Sequence, residues 1–587
     1  MRIESRKQYT PRNRRYVRAY FLPFLIFLFF INTHNTVLCK SDEASRFGGR
    51  LIMATVSDPK TFNPIVAQET SSTQILNFIF EGLTDTDPES GAVIPNLAER
   101  WSHDGEGKVW ILSLRHDVFW SDGAPFTAGD VVFTFKQLIY NPNIITGYKS
   151  ILTIDGREIQ VEAIDDFTLR FTLPSTFAPF LRSLTLPIMP RHVLEPAAEN
   201  NTFNEAWGIR EDPERIIGTG PFMIDQYRPG EKVVLRRNHY YWKRDENNNR
   251  LPYLENIVFL IIQSQDIALL KFKNQEIDMY GLRGVDYPWL KPLEGKGYFQ
   301  IYDLGPTLSR YFVSFNQNRG VNPHTSQPYM PRAKNKWFTN RNFRKAIAHS
   351  INRAQIIDLI YNGLAIPQHS TMSPASGYYY NPDVVKYDFD MEKARDILAA
   401  EGFLDKDNDG FLEDNDGNAV TFNLYLSSGN VQATQLANLI RKDLAQLGCE
   451  VNLIQVEFNT LVNKLSFTFD WDIVLIGLTG GIEPHFGANV WFSHGPLHMW
   501  YPRQKEAATL WEKRIDEIFQ AGVQELDEAK RKRLYDEWQR IVADEVPVIF
   551  TVIPLNIIAV NNRLQNIKPT PLGGVLHNIE EIYIKQP

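Results

Sequence analysis

The pattern of apolar and polar positions shifts repeatedly between the period of a β-strand and that of an α-helix. In the first half of the chain, residues 50–56 predict a strand, and residues 74–83 have the spacing of a helix. Residues 109–114 and 118–120 alternate and predict a hairpin with Ser-Asp-Gly-Ala-Pro as its turn, and residues 162–173 predict a second hairpin. Strands and helices that alternate in this way favour an α/β protein.

Capping residues define one of the helices, and longer periodic segments follow in the second half of the chain. Thr127 is predicted to cap a helix that begins at Ala128, because Asp130 follows three residues later as in a capping box. The later segments are predicted helices at 343–361, 391–400, 432–447, 506–524 and 527–544, a strand at 450–456, and an apolar stretch from Val546 onward.

The size and composition indicate a folded protein of several domains. A chain of 587 residues exceeds what one hydrophobic core usually supports, so two or three domains are expected. Hydrophobic residues make up 43 % of the chain, which excludes a largely disordered protein. The formal net charge of −7 is modest for this length and gives no electrostatic reason to expect a nucleic acid as partner.

The N-terminal segment 1–39 has the features of a secretory signal peptide. A stretch rich in Lys and Arg precedes the apolar run 20–31, which is too short to span a bilayer comfortably. Val37 and Cys39 suit the positions before a cleavage site, so we expect a cleaved signal at 1–39 and export to the periplasm or the cell surface. A lipid anchor on Cys39 is the alternative, although Leu38 is larger than the residue that usually precedes a lipidated cysteine.

Cleavage after Cys39 would leave one cysteine, Cys449, within the apolar segment Leu-Gly-Cys-Glu-Val-Asn-Leu. We expect this thiol to lie at the start of a buried strand and to be chemically inert. Because no second cysteine remains, the stability of the exported protein must come from its core.

Three blocks of sequence together resemble one family of proteins. The blocks are residues 97–101 with 114–131, residues 218–222 with 237–242, and residues 311–316 with 343–347. In them the chain resembles the periplasmic solute-binding proteins of the oligopeptide, dipeptide and nickel class, which serve ABC importers. Each block also has a structural explanation. The glycines of Gly-Thr-Gly-Pro-Phe, for example, would permit unusual backbone angles where the chain crosses between lobes.

The resemblance implies an α/β protein with the two-lobed periplasmic-binding-protein fold of type II, an extra domain, and a hinge between the lobes. The lobes would enclose the ligand by a hinge motion. The resemblance also implies no catalytic residue, no cofactor, a monomer, and the membrane permease subunits of an ABC importer as partners. The predicted divisions are lobe I at 48–81, 216–305 and 541–587, the extra domain at 82–215, and lobe II at 306–540.

Two segments match places where that family meets its ligand. The first, between the first strand and the first helix, lies near a helix N-terminus, where backbone N–H groups are free to bind. Its candidates are Gln68, Glu69, Thr70 and Ser71, with a capping role for Thr70 or Ser71 as the alternative. The second runs from an apolar strand into a glycine-rich loop, which suits close backbone approach to a ligand. Its candidates are Thr479, Gly480, Gly481, Glu483, Asn489 and Trp491.

The second segment departs from the pattern of peptide binders. The acidic residue that holds a peptide's α-amine falls on Gly481, and Glu483 can replace it only if the loop turns Glu483 inward. The arginine that some peptide binders place in this strand is missing from the apolar residues 474–476. A peptide remains the expected ligand. An oligosaccharide or another neutral solute is the alternative, bound by Trp491, Thr479 and Asn489.

Enzymatic chemistry and a transition metal are more distant alternatives. The chain has no GxSxG motif, but Glu69 and Glu483 could form the opposed carboxylates of a glycosidase. His485, His494 and His498 are close in sequence, but Gly-Pro between the last two breaks any shared helical face.

The segment 405–416, Asp-Lys-Asp-Asn-Asp-Gly-Phe-Leu-Glu-Asp-Asn-Asp, resembles the calcium loop of an EF-hand. However, a predicted strand follows the loop where an EF-hand has a second helix, and the twelfth residue is Asp where Glu is usual. We therefore expect a solvated connection in lobe II, with a structural calcium ion as the alternative. The calcium ligands would then be Asp405, Asp407, Asp409, Phe411 and Asp416.

Overall fold

The first lobe is built on two sheets that draw strands from distant parts of the chain. In this computed structural model, which describes residues 46–323, 325–502 and 504–585, the first strand is Arg50–Thr55 and lies parallel to Asn256–Ile261. Lys232–Arg237 and Phe222–Arg228 continue this sheet in antiparallel order. The second sheet contains Met279–Gly281, Val552–Asn561 and Phe299–Pro306, and Ala365–Pro367 pairs with one end of it. The predictions for residues 1–39, including the lipid anchor, lie outside the described residues.

An antiparallel sheet with its own core forms the extra domain. Its strand order is Ala98–His103, Val109–Leu114, Thr168–Thr172, Gln160–Asp165, which confirms the predicted hairpin at 162–173. The other predicted hairpin is wrong. Val109–Leu114 pairs with strands on both sides, and residues 118–120 contribute only an isolated bridge between Phe119 and Pro125. Fully buried aromatic side chains fill the core: Trp120, Phe126, Phe135, Phe171 and Phe180.

The predicted capping box of the extra domain is confirmed. Thr127 begins the helix Ala128–Phe133, and its backbone N–H donates to the carboxylate of Asp130 at 2.9 Å. The same carboxylate accepts a hydrogen bond from the backbone of Arg191 at 2.9 Å. The cap therefore joins two helices of this domain as well as starting one.

A five-stranded sheet organises the second lobe, in the order Glu450–Val456, Thr421–Ser427, Ile473–Thr479, Ser309–Phe315, Val548–Phe550. Side chains alternate along these strands between two buried clusters, one on each face. One face is covered by the helices Arg341–Ser350, Arg353–Tyr361, Met391–Ala400 and Val431–Leu447, and the other by Leu510–Gln524 and Glu528–Glu545. The remaining longer helices of the described residues are Arg191–Glu199, Gln265–Lys273 and Arg332–Thr339.

Two short connections join the second-lobe sheet to strands of the first lobe. The strand Phe299–Pro306 belongs to the first lobe and Ser309–Phe315 to the second, so two residues separate them. Val548–Phe550 pairs with the second-lobe sheet, and the strand Val552–Asn561 then enters the first lobe. The last crossing therefore follows Phe550, later in the chain than the predicted boundary at 541.

Several elements end where tertiary partners intervene. The helix predicted at 74–83 is Thr70–Leu76, because the carbonyl groups of Phe78 and Ile79 accept hydrogen bonds from Phe222 and Gly220. The helix predicted at 343–361 is two helices, since Asn352 caps the second one by accepting from the backbone of Gln355.

Other features agree with the sequence analysis. The helix Met391–Ala400 and the strand Glu450–Val456 have the predicted bounds. Cys449 is fully buried as expected, and burial raises the pKa of its thiol to about 12. None of the helices in the described residues combines the length and apolar character needed to cross a bilayer.

Close packing explains the glycines of Gly-Thr-Gly-Pro-Phe better than unusual backbone angles. Neither Gly218 nor Gly220 has a positive φ, and their segment leads from the extra domain into the first-lobe sheet. A β-carbon on Gly218 would lie 2.1 Å from the carbonyl oxygen of Ile79, and one on Gly220 would lie 2.7 Å from its carbonyl carbon. The absence of a side chain therefore permits the contact that ends the first helix.

We predict that Gly218→Ala lowers the free energy of unfolding by about 1–3 kcal/mol, the usual cost of forcing atoms into a packed interior. Urea unfolding followed by circular dichroism measures this change. Gly281→Ala is the matched control, because no atom lies within 4 Å of the added carbon and the φ angle is not positive. Equal stabilities of the two variants would contradict the packing argument.

Candidate ligand-binding site

The first predicted segment is a loop that Glu69 organises. Its carboxylate accepts hydrogen bonds from the backbone of Lys60 at 3.3 Å and of Gln68 at 3.2 Å, and from the hydroxyl of Ser72. Burial alone would raise the pKa of Glu69, but these hydrogen bonds outweigh it and hold the pKa below its ordinary value. The carboxylate is therefore bound by groups of the protein itself.

The neighbours of Glu69 differ in their access to a ligand. Gln68 and Thr70 are exposed, whereas Ser71 is buried. Ser72, which is not among the predicted ligand contacts, accepts hydrogen bonds from the backbone of Lys60 at 2.9 Å and of Thr61 at 3.3 Å. Gln68 and Thr70 are the members of this segment with side chains available for binding.

The second segment follows the strand Ile473–Thr479. Thr479 and Gly481 are exposed, and the carbonyl group of Gly481 accepts from Ser376 at 3.2 Å. A β-carbon on Gly480 would lie 2.6 Å from the carbonyl oxygen of Leu308 and 2.6 Å from a guanidinium nitrogen of Arg310. The glycine thus permits close approach by the protein's own chain.

Glu483 is buried in an ion-pair cluster, which corrects its predicted role as an anchor for a ligand's amine. Only 3 % of the residue is exposed, and one carboxylate oxygen lies 3.8 Å from Arg531 Nη2 and 4.0 Å from Arg182 Nε. Burial raises the pKa of Glu483, and the two arginines oppose that rise. Arg182 lies in the helix Phe180–Ser183 of the extra domain, so the cluster joins that domain to the second lobe.

Other contacts strengthen this junction between the extra domain and the second lobe. The backbone N–H of Ala178 donates to the carbonyl group of Val523 at 2.7 Å, and the rings of Phe177 and His485 are 5.7 Å apart. Asn489 is exposed and lines a cavity of about 480 Å³ beside these contacts. Among the predicted ligand contacts, Glu483 and Asn489 therefore both lie at the junction.

Trp491 lies in the apolar core of the second lobe and not on the surface of a binding site. It is 3 % exposed, and its ring centroid is 5.1 Å from that of Trp538 and 5.9 Å from that of Trp500. Trp491 thus packs between the helices and the sheet, which corrects its predicted role as a platform for a neutral ligand.

A cavity of about 330 Å³ opens at the carboxyl end of the strand Thr421–Ser427, and we call it the strand-end cavity. This strand pairs in parallel with Ile473–Thr479 only through Leu424 and Tyr425, so the two strands separate beyond that point. Crevices of this kind, where connections leave a strand toward opposite sides of a sheet, are common ligand sites in α/β folds. Six of its lining residues offer polar groups: Ser309, Arg310, Tyr311, Ser427, Asn430 and Thr479.

Only Thr479 of these six residues was selected from the sequence. For the other five residues the sequence offers one indication of a site. Arg310 is a charged residue directly before the largely apolar run Tyr-Phe-Val-Ser-Phe. Its position beside Gly480 depends on strand pairing, with Arg310 opposite Leu478.

A second group of charged residues, which the sequence did not predict, lies in the first lobe. Glu81, Lys243 and Glu580 line a cavity of about 560 Å³ between the lobe and the extra domain. Burial raises the pKa of Glu81 to about 7, although Lys243 and a hydrogen bond from Trp242 at 3.1 Å act against that rise. Lys243 lies 2.6 Å from Glu580, so this cavity carries both signs of charge.

The loop 405–416 differs in part from its predicted calcium geometry. Carboxylate oxygens of Asp405, Asp407 and Glu413 lie within 4.8 Å of one another, and Glu413 was absent from the predicted set. Asp416 pairs with Lys336 at 3.0 Å, and Asp409 accepts from the backbone of Phe411 at 2.8 Å. The strand Thr421–Ser427 follows, as predicted. Calcium binding stays a prediction, and the three clustered histidines form no such ligand group among the described residues.

We predict that Glu483→Gln lowers the free energy of unfolding by about 3 kcal/mol, because it removes the carboxylate that Arg182 and Arg531 share between the two domains. Thermal and urea unfolding measure the loss. Glu450→Gln is the control, since Glu450 is exposed in the same lobe. If Glu483→Gln is as stable as the control, the ion-pair cluster does not hold the domains together.

Comparison with known proteins agrees with the resemblance seen in the sequence. Residues 92–497 match the family described as bacterial extracellular solute-binding proteins, family 5 Middle. The "Probable ABC transporter-binding protein" of Deinococcus radiodurans is 28 % identical over 86 % of each chain, and the oligopeptide-binding protein AppA of Bacillus subtilis is 25 % identical over 94 % of each chain. The structure of that AppA with a nonapeptide has a TM-score of 0.70, covering 92 % of this chain and all of the other. The predicted two-lobed α/β fold is confirmed, and the chain belongs to the family 5 extracellular solute-binding proteins.

Proposed function

We propose that this protein binds a peptide between its lobes and delivers it to the membrane permease of an ABC importer. The observation that carries the proposal is the match to an oligopeptide-binding relative over 94 % of both chains. Membership of an extracellular family supports export, and the periplasm or the cell surface is the proposed location. Binding and release would occur without covalent chemistry.

Available polar groups on the two lobes support recognition of the peptide's main chain. Gln68 and Thr70 are exposed beside the first helix, and Thr479 and Gly481 are exposed at the end of a second-lobe strand. Amide and hydroxyl groups at these places can pair with peptide N–H and C=O groups. The carboxylate predicted to hold the ligand's amine, that of Glu483, is engaged within the protein, and so is the carboxylate of Glu69.

The connections between the lobes support a hinge mechanism. Two residues separate the strands at 306 and 309, and one residue separates those at 550 and 552. Short connections at strand ends can absorb the backbone rotation of a hinge. A ligand that contacts both lobes favours the closed arrangement, because it binds that arrangement more tightly than the open one.

We predict that the purified protein retains a peptide, which mass spectrometry identifies after release by denaturation. Once stripped and refolded, the protein should gain about 2.7 kcal/mol of stability at a peptide concentration one hundred times the Kd. The same measurement with the tetrasaccharide stachyose tests the alternative ligand class. Stabilisation by the saccharide and not by peptides would overturn the proposal, and release of a shortened peptide would show that the protein is an enzyme.

We further predict that acetylation of the peptide's α-amine changes its affinity by less than threefold. The reason is that Gly481 has no side chain and that Glu483 is paired with two arginines. Calorimetry on the free and acetylated forms of the retained peptide measures the difference. A loss of tenfold or more, equivalent to about 1.4 kcal/mol, would show that an acidic group does hold the amine.

A further inference from the structure

Arg310 is a partly buried cation for which the described residues provide no partner. It is the second residue of the strand Ser309–Phe315, and its guanidinium group makes no hydrogen bond or ion pair there. Burial lowers the pKa of Arg310 to about 10, and no neighbouring charge acts with or against that change. Arginine stays protonated at neutral pH even so, and a desolvated charge without a counter-charge is unfavourable.

The surroundings of Arg310 are those of a site for an anion. It is the only charged residue among those that line the strand-end cavity of about 330 Å³. One guanidinium nitrogen lies against Gly480, where a β-carbon would approach it to 2.6 Å. Any side chain at position 480 would therefore displace the guanidinium group from this place.

Neighbouring groups add to the positive potential of the cavity. Asn430 caps the 17-residue helix Val431–Leu447, whose first turn lines the cavity through Ala433. The N-terminus of such a helix favours a negative charge. Tyr311 accepts a hydrogen bond from Asn430 at 3.1 Å, so its own O–H remains available as a donor.

We propose that Arg310 binds a carboxylate of the solute, and that the protein is therefore selective for peptides with an acidic group at this position. The inference rests on the proposed function, because it names the class of peptide that the same site accepts. A guanidinium group can donate two parallel hydrogen bonds to one carboxylate, which gives geometric as well as electrostatic selectivity. The carboxylate could belong to an acidic side chain or to the peptide's C-terminus.

Arg310 lies close to a connection between the two lobes, and a solute captured between the lobes would lie near it. The chain leaves the first lobe at Pro306 and reaches Arg310 four residues later. Ser309 is paired with Thr479, the residue that precedes the glycine loop. A ligand held by Thr479 and Gly481 would thus lie beside the strand-end cavity.

The test compares the intact mature protein with Arg310→Gln and with the control Arg533→Gln, which removes an exposed charge from the same lobe. The probes are alanine tetrapeptides that carry Glu or Gln at each position in turn, with a free or an amidated C-terminus. Calorimetry should show that the unaltered protein prefers one acidic form over its neutral counterpart by at least tenfold, or about 1.4 kcal/mol. Arg310→Gln should lose this preference and should bind the neutral peptide at least as tightly as the unaltered protein does, and the control should keep the preference.

The form of the tetrapeptide that the unaltered protein prefers identifies the source of the carboxylate. A preference for Glu over Gln indicates a side chain, and a preference for the free over the amidated terminus indicates the C-terminus. The proposal is overturned if the unaltered protein shows no preference, or if the preference survives in Arg310→Gln. Arg310→Gln should unfold at the same or a higher temperature than the unaltered protein, since the substitution removes an unpaired and desolvated charge.

A result in which no tetrapeptide binds would count against the proposed function and would leave the role of Arg310 to a second measurement. The midpoint of thermal unfolding is then compared in sodium glutarate and in sodium chloride at equal ionic strength. Stabilisation by glutarate that Arg310→Gln abolishes supports the anion site. Equal midpoints in the two salts, or equal stabilisation of both proteins, overturn it.

Discussion

The register between the strands Ser309–Phe315 and Ile473–Thr479 determines which groups meet where the chain connects the two lobes. Ser309 is paired with Thr479, and Gly480 extends the ladder by donating to the carbonyl oxygen of Leu308 at 3.0 Å. Because successive side chains on a strand point to opposite faces, a shift of one residue would turn Arg310 away from its present position. The same strand also pairs with Val548–Phe550, so both crossings between the lobes depend on it.

The charged side chain that the structure leaves unpaired is not one that the sequence predicted for ligand contact. Glu69 and Glu483 are both predicted ligand contacts, Glu483 as the partner of an amine, but loop donors engage the first and two arginines engage the second. Arg310, by contrast, has no counter-charge among the described residues. Arg310 is the charged residue that lines the strand-end cavity, so the electrostatics of that cavity favour an anion over an amine.

Local sequence signals predicted those elements whose ends depend on local interactions. The helix Met391–Ala400 begins at Asp390, whose side chain accepts from the backbone of Lys393, and such a cap can be identified in the sequence. The end of the first helix at Leu76 could not be predicted, since it depends on hydrogen bonds to Gly220 and Phe222. Contacts between residues that are far apart in sequence leave no periodic pattern.

The candidate site was predictable to a smaller extent for the same reason. Family resemblance located the loops at 68–71 and 479–481, but whether a side chain in them is free depends on partners elsewhere. Trp491 is an aromatic residue near the loop, and only its packing on Trp538 shows that it belongs to the core. Arg182 and Glu483 lie in distant parts of the sequence and in different domains, so no local pattern could reveal that the carboxylate is occupied.

An unpaired arginine at the lobe junction connects ligand selectivity to closure. A carboxylate that meets Arg310 interacts with it more strongly when water is excluded from the strand-end cavity, because the effective dielectric constant falls. Such a ligand binds the closed arrangement better than the open one, which is the condition for shifting the equilibrium between them. A neutral ligand of the same size would leave the guanidinium group desolvated and unpaired on closure. Arg310 would thus select against neutral ligands as well as for acidic ones, and both effects act at the step that traps the solute.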